Sequence, residues 1–230
     1  MTTVKRIVCL ANSRKISGRC IAGREFDGGR VGAWIRPVSA REHEEISENE
    51  RQYEDGSDPK VLDIIDVPLA EARPKLFQQE NWLIDADECW VRVGRSNWDQ
   101  LAKLEDASES LWTNGYHTAN GLNDQIPLVV AANLNTSLRF IHIDGGEIHV
   151  MRIASPFGPA RRRVQGRFQY GGQHYSLWVT DPVIERAYLA KPDGRYPLGE
   201  SYLTISVGEP FNENCYKLVA AIISRELVGG

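Results

Sequence analysis

Apolar positions in this chain come in short runs, alternating or continuous, broken every few residues by Gly, Asp or Pro; long stretches with a helical period are rare. The pattern predicts strands over 4–10, 19–26, 31–38, 61–69, 75–84, 88–94, 137–143, 147–154, 161–170, 173–180, 202–208 and 215–223. Many short strands joined by glycine turns indicate sandwiches or barrels. There are few helical signals. Asn97 can cap a short helix through Leu104, and Asp181-Pro182 can open another through Ala190. Residues 41–60 read as an irregular or part-helical surface excursion. Asn114 to Gly121 combine turn formers with little hydrophobic pattern, so we expect two domains, 1–114 and 115–230. Glycine-turned hairpins in each half hint at a duplication, without clear sequence repetition.

Two-residue glycine loops set a hairpin's register, which predicts the residues that face each other. A turn at Gly171-Gly172 puts Phe168 opposite Tyr175, Gly166 opposite Leu177 and Val164 opposite Val179, a core face. The other face then carries Gln169/His174, Arg167/Ser176, Gln165/Trp178 and Arg163/Thr180. A tryptophan among arginines and glutamines suits nucleic acid: bases stack on the ring at about 1–3 kcal/mol each, while guanidinium groups meet phosphates. The alternative is a second layer of protein over Trp178.

A turn at Gly145-Gly146 would set His142 opposite His149 and Arg139 opposite Arg152. Facing arginines need an anion between them, either a phosphate or a carboxylate such as Asp144 or Asp181. The histidines would make half a metal site, but no further ligand stands at a recognisable spacing, which favours a plain surface pair. A turn at Gly28-Gly29 pairs Phe26 with Val31, Ala22 with Ile35, Ile21 with Arg36 and Trp34 with Gly23, where the indole would fill the gap over the glycine. The preceding Asn12–Gly18 stretch is polar and basic. It reads as a loop that wraps a backbone phosphate, or as a solvated turn.

Composition narrows the class. The chain has 230 residues, 42 % of them hydrophobic and 25 % charged, enough for a real core. The longest apolar run, Ile126 to Ala132, is far short of a membrane span and contains a proline. The apolar stretch near the N-terminus is too short for a signal-peptide core, so a cytoplasmic location is expected. Cys9, Cys20, Cys89 and Cys215 form no CxxC pair and read as buried free thiols.

Charge changes the picture more, because it is sorted into blocks beneath a net −4. Residues 1–41 carry a local +7, residues 42–66 a local −8, and residues 151–180 hold five arginines and no acid. A basic sheet on an otherwise acidic chain suggests one surface for a polyanion.

Catalytic signatures are absent: no Walker loop, HExxH, GxSxG or zinc-deaminase pieces occur. The cluster Glu42, Glu44, Glu45, Glu48 and Glu50 looks like a solvated face rather than a magnesium site. Asp181 ends a strand, where catalytic carboxylates are often found, but an Asp-Pro helix cap is the simpler account. No metal or cofactor is implied.

Several segments resemble a known family. They are Lys5 to Ser13, Ser17 to Gly23, Gly32 to Ser39, Gln79-Glu80-Asn81, Arg167 to Gly172, Val179-Thr180-Asp181-Pro182, Ser206 to Phe211 and Cys215 to Ala221. Together they are similar to bacterial dual OB-containing domain proteins over nearly the whole chain. The resemblance implies an all-β chain of two tandem OB-like small β-barrels, with nucleic-acid binding as the fold-level expectation; it supplies no catalytic residues. Fold alone does not establish function.

The function expected is binding of nucleic acid, single-stranded DNA or RNA. Arg161, Arg163 and Arg167 would contact phosphates, with Gln165 and His174 beside them and Trp178 as a stacking platform. Arg14, Lys15, Arg19 and Arg36 would supply a second patch. Two alternatives come from other classes. One is an enzyme acting on nucleic acid or nucleotides through His142, His149, His174 and Asp181. The other is a protein-interaction module, or homodimer, in which the acidic block masks or pairs with the basic surface. No membrane partner is expected.

Overall fold

The computed structural model describes residues 2–155 and 158–228. The chain divides into two compact units: unit 1 is residues 1–105 with 135–138, and unit 2 is residues 106–134 with 139–230. The regular structure of both is mostly strand.

Unit 1 contains β1 (Thr3–Lys15), β2 (Gly18–Asp27), β3 (Arg30–Val38), helix α1 (Glu48–Arg51), β4 (Asp63–Ala72), β5 (Asn81–Ile84), β6 (Val91–Arg95) and helix α2 (Trp98–Leu101). Its sheet order is β1-β2-β3-β5-β4-β6, and β4 also pairs with β1. The pairings β1–β2, β2–β3, β3–β5, β5–β4 and β4–β1 therefore close a five-stranded ring, with β3–β5 its parallel contact. A bulge between Cys9 and Ala11 lets the long β1 serve two neighbours in turn. Gly23 makes this possible, since a Cβ there would lie 2.2 Å from the Val8 carbonyl oxygen. Ile7, Cys9, Ile21, Ile35, Ile65, Val67, Leu69 and Trp90 fill the interior.

Unit 2 contains β7 (Gln125–Pro127), helix α3 (Leu128–Ala131), β8 (Leu138–Ile143, begun in unit 1), β9 (Gly146–Ser155), β10 (Gly158–Tyr170), β11 (Gln173–Val179), helix α4 (Pro182–Leu189), β12 (Gly194–Leu198), β13 (Ser201–Val207) and β14 (Asn214–Ser224). Its order is β12-β9-β10-β11-β14-β13-β8. The run β9-β10-β11-β14-β13 repeats β1-β2-β3-β5-β4 of unit 1, with the parallel contact again between the third and fifth strands. β12 and β13 are joined by Gly199-Glu200 and pair with β9 and β14 respectively, so this short bend links two strands on opposite sides of the run. The two halves are OB-like β-barrels of one topology, with few short helices.

Helix α4 lies against β9 and β10 and sends Ile184 into the core with Val164, Phe168, Leu177 and Val179. Asp181 caps it, accepting from the Val183 and Ile184 amides at 2.9 and 3.3 Å. Arg162 closes the other end: its guanidinium donates to the Leu189 and Lys191 carbonyls at 2.7 and 2.5 Å and pairs with Asp193.

Several expectations are corrected. The Gly145-Gly146 turn does not fold β8 onto β9, because both sides of β9 are taken by β10 and β12. Neither glycine has the positive φ that such a turn requires, whereas Gly28, Gly29, Gly171 and Gly172 all have it. Gly146 instead lets two strands approach closely, since a Cβ would lie 2.5 Å from the Arg167 carbonyl oxygen. His149 therefore faces Gln165 and Arg195, and Arg152 faces Arg162. The Gly28-Gly29 hairpin keeps Phe26 opposite Val31, but a bulge between Arg24 and Phe26 slips the rest by one: Trp34 faces Arg24 rather than Gly23, and Ile35 faces Gly23. Residues 12–18 are not a loop, because the ladder continues to Lys15 opposite Gly18. The strand expected over 75–84 is only Asn81–Ile84, and β7 and β12 were not foreseen. Cys9 and Cys215 are buried, while Cys20 is half-buried and Cys89 exposed; none of the four is in a disulfide.

Candidate nucleic-acid interface

The outward face of β9, β10 and β11 is the arginine-rich surface singled out in the sequence. Its register is the one expected from the Gly171-Gly172 turn: Gln165 pairs with Trp178, Arg167 with Ser176 and Gln169 with His174. On the other side of β10, Gln165 pairs with His149 and Arg167 with Glu147; β12 adds Arg195 opposite His149. β11 meets β14 with Trp178 beside Leu218. One row thus crosses five strands: Arg195, His149, Gln165, Trp178, Leu218.

The centre of that face is closed by the chain itself. Gln165 is 0 % exposed. Its side-chain amide donates to the Asn120 carbonyl at 2.6 Å, and its oxygen accepts from Arg167 Nε at 2.9 Å. Leu122 exchanges backbone hydrogen bonds with Ser176, and the Asn123 amide reaches the His174 carbonyl, so residues 120–123 are fastened to β10 and β11. Gln165 is therefore buried and bonded within the chain rather than open on the face as expected.

The rest of the face remains accessible in part. Trp178, Arg163 and Arg167 are half-buried, and Arg161, Gln169 and His174 are exposed. The Arg163 guanidinium lies 4.3 Å from the centroid of the Trp178 ring. Such stacking fixes the guanidinium plane while its N–H edges point sideways. His149 is buried with Nε2 2.7 Å from Glu147 Oε2. That bond, with Arg195 and Arg167 close by, holds the Glu147 carboxyl below the usual carboxylate range.

In unit 1 the same strands carry the same pair of residue types, for Arg24 of β2 lies 5.7 Å over Trp34 of β3. Here the tryptophan is buried, and the neighbouring outward residue is held from inside the unit. Arg36, expected in the second surface patch, is 4 % exposed. Its Nη2 donates to Ser137 Oγ at 2.8 Å and lies 3.4 Å from Glu80, which also accepts from Ser137. This withdraws Arg36 from any surface role. Arg14 is exposed, Lys15 and Arg19 are half-buried, and all three lie at the end of the β1–β2 hairpin. Cross-strand pairing would have pointed to Arg24 and Arg195, once the bulge and β12 were known.

The groups considered for catalysis are placed apart by their bonds. His142 binds Glu200 at 3.1 Å and lies against Tyr202, His149 binds Glu147, and Asp181 caps α4. Among the described residues no group of three or more His, Cys, Asp or Glu could hold a metal ion. Much of the acidic block is folded into unit 1: Glu50 caps α1 and pairs with Arg41, Asp58 pairs with the buried Arg51, and Glu44 with Lys75. No helix among the described residues is long and apolar enough to cross a membrane.

No curated protein and no solved structure matches the chain. A family model does. Two sheets that share one strand order accord with the description of that model, which matches residues 5–222; the chain belongs to the dual OB-containing domain family.

Proposed function

We propose that the chain binds single-stranded nucleic acid on the outward face of β9–β11. The observation that carries this is the Arg163 guanidinium stacked on Trp178 in the middle of an OB-like sheet. Oligonucleotides cross this part of OB-folds, and unpaired bases stack on indole rings and guanidinium planes alike. In this reading Arg163 and Trp178 form one extended platform, Arg161 and Arg167 take phosphates, and His174 and Gln169 line the rim. Stacking needs a base free of its partner, which favours single strands over duplex. Arg14, Lys15 and Arg19 form a second basic patch on unit 1.

The test is fluorescence anisotropy with a labelled oligodeoxythymidine over a salt series. Affinity should fall with added salt at a logarithmic slope of about −0.7 for each phosphate held. A salt-independent affinity, or none at all, contradicts the proposal.

A further inference from the structure

Unit 1 ends in two tight turns whose chemistry the β9–β11 face does not explain. β1 and β2 join through Ile16 and Ser17, with Lys15 paired to Gly18. Ile16 stands at φ +50° and is 63 % exposed. A β-branched residue in the left-handed region is a real outlier, and an aliphatic side chain in water returns nothing to the fold. The connection between β4 and β5 repeats the arrangement. Lys75 and Gln78 exchange backbone hydrogen bonds around Leu76 and Phe77, and Leu76 stands at φ +51°, 58 % exposed.

Both tips are braced. Arg19 exchanges backbone bonds with Ile46, and Gly18 permits that approach, since a Cβ would lie 2.6 Å from the Ile46 carbonyl oxygen. Ser17 Oγ donates to Glu45 at 3.3 Å, and Lys75 Nζ pairs with the adjacent Glu44 at 3.0 Å. Side chains of one dipeptide thus bond to both turns. Its carboxylates are buried, and Arg14, Lys15, Arg19, Arg73 and Lys75 stand nearest the tips along the chain, with the exposed acids Glu42 and Glu71 further off. Strain kept at a braced, exposed position points to function.

We propose that Ile16 and Leu76 are paired apolar wedges that enter between neighbouring bases of a nucleic-acid strand, whose phosphates the flanking cations hold. The proposal rests on the reading of the chain as a nucleic-acid binder and gives unit 1 its share of the contact. Nucleic acid is favoured over a bilayer because two aliphatic tips bury less than the acyl chain that alone gives only marginal membrane binding.

The experiment titrates a single strand carrying 2-aminopurine, whose emission rises on unstacking. Wild type should raise that emission. Glycine accepts a positive φ, so Ile16→Gly/Leu76→Gly should melt about 2 °C higher. The same variant should bind about tenfold more weakly and lose the emission rise. Equal affinity with an equal rise overturns the wedges. If Arg163→Ala/Trp178→Ala abolishes binding while the glycine variant binds normally, the wedges fail and the β9–β11 site stands. No binding by wild type removes both. Wild type that sediments with phosphatidylserine vesicles, when the glycine variant does not, overturns the proposal in favour of a lipid surface.

Discussion

Raising the pH from about 7 to about 10.5 should stabilise the wild-type chain relative to Lys217→Met by about 3 kcal/mol. Lys217 is 1 % exposed, on the inward side of β14. Its Nζ donates to the Leu111 and Thr113 carbonyls at 3.0 and 2.6 Å and lies 5.3 Å from the centroid of the Tyr175 ring. Burial lowers its pKa from 10.5 to about 8, against the opposing pull of Asp124. The folded chain thus gives up this proton earlier than the unfolded chain does. Between about pH 8 and 10.5 the unfolded state holds more protons, so stability rises with pH across that window. Below about pH 8 the full cost of a buried cation is present.

Other groups titrate in the opposite sense. Burial pushes the Cys215 thiol up to about 11 and also raises Tyr53, next to Asp63, and Tyr188. These are common to both chains and cancel in the difference. The measurement is denaturant unfolding of both proteins at several pH values. A stability difference that stays flat from pH 7 to 10.5 would show that Lys217 does not carry a buried charge.

The second large effect concerns the interface. Arg161→Ala/Arg163→Ala/Arg167→Ala should lower affinity for an oligodeoxythymidine by about 100-fold, close to 1 kcal/mol per arginine. It should also flatten the logarithmic salt slope by about 1.4, as expected for the two phosphate contacts of Arg161 and Arg167 lost on a single strand. The fold should hardly change, since Arg161 is exposed and Arg163 rests on an indole. Arg167 also supports the sheet, because its Nε donates to Gln165; a separate Arg167→Lys variant should keep most of the salt slope. Unchanged affinity in the triple variant would move the ligand off this face.

How much of this was legible in the sequence depended on the range of the forces involved. The hairpin at Gly171-Gly172 could be read to the residue, because both glycines take the positive φ of a two-residue turn and no bulge follows. At Gly28-Gly29 the turn was legible but the bulge after it was not, and one extra residue moved Trp34 from Gly23 to Arg24. At Gly145-Gly146 the dipeptide looked the same, yet its second glycine answers to a carbonyl on β10. β12 escaped notice because Pro197 and Gly194 resemble a turn, although a strand pairing on one side with β9 tolerates the proline.

The candidate site shows the same division. Which side chains share the outward face follows from alternation along β10 and β11, and that was local information. What lies over the face was not local. Asn120 closes over Gln165 from 45 residues away, and Ser137 reaches Arg36 from 101. Alternation cannot reveal such covering segments, so Gln165 and Arg36 looked available when they are not. Asp181 was read correctly as a cap because Asp-Pro before an apolar helix is a short-range signal.

One observation decides most directly whether the exposed rim of Trp178 and the guanidinium above it receive a strand. The indole Nε1–H resonance of Trp178, assigned by its loss in Trp178→Phe, should shift progressively as an oligodeoxythymidine is added, and return as salt is raised. If that resonance stays fixed while the anisotropy of the same sample rises, the strand binds elsewhere and the Arg163–Trp178 platform is only a structural stack.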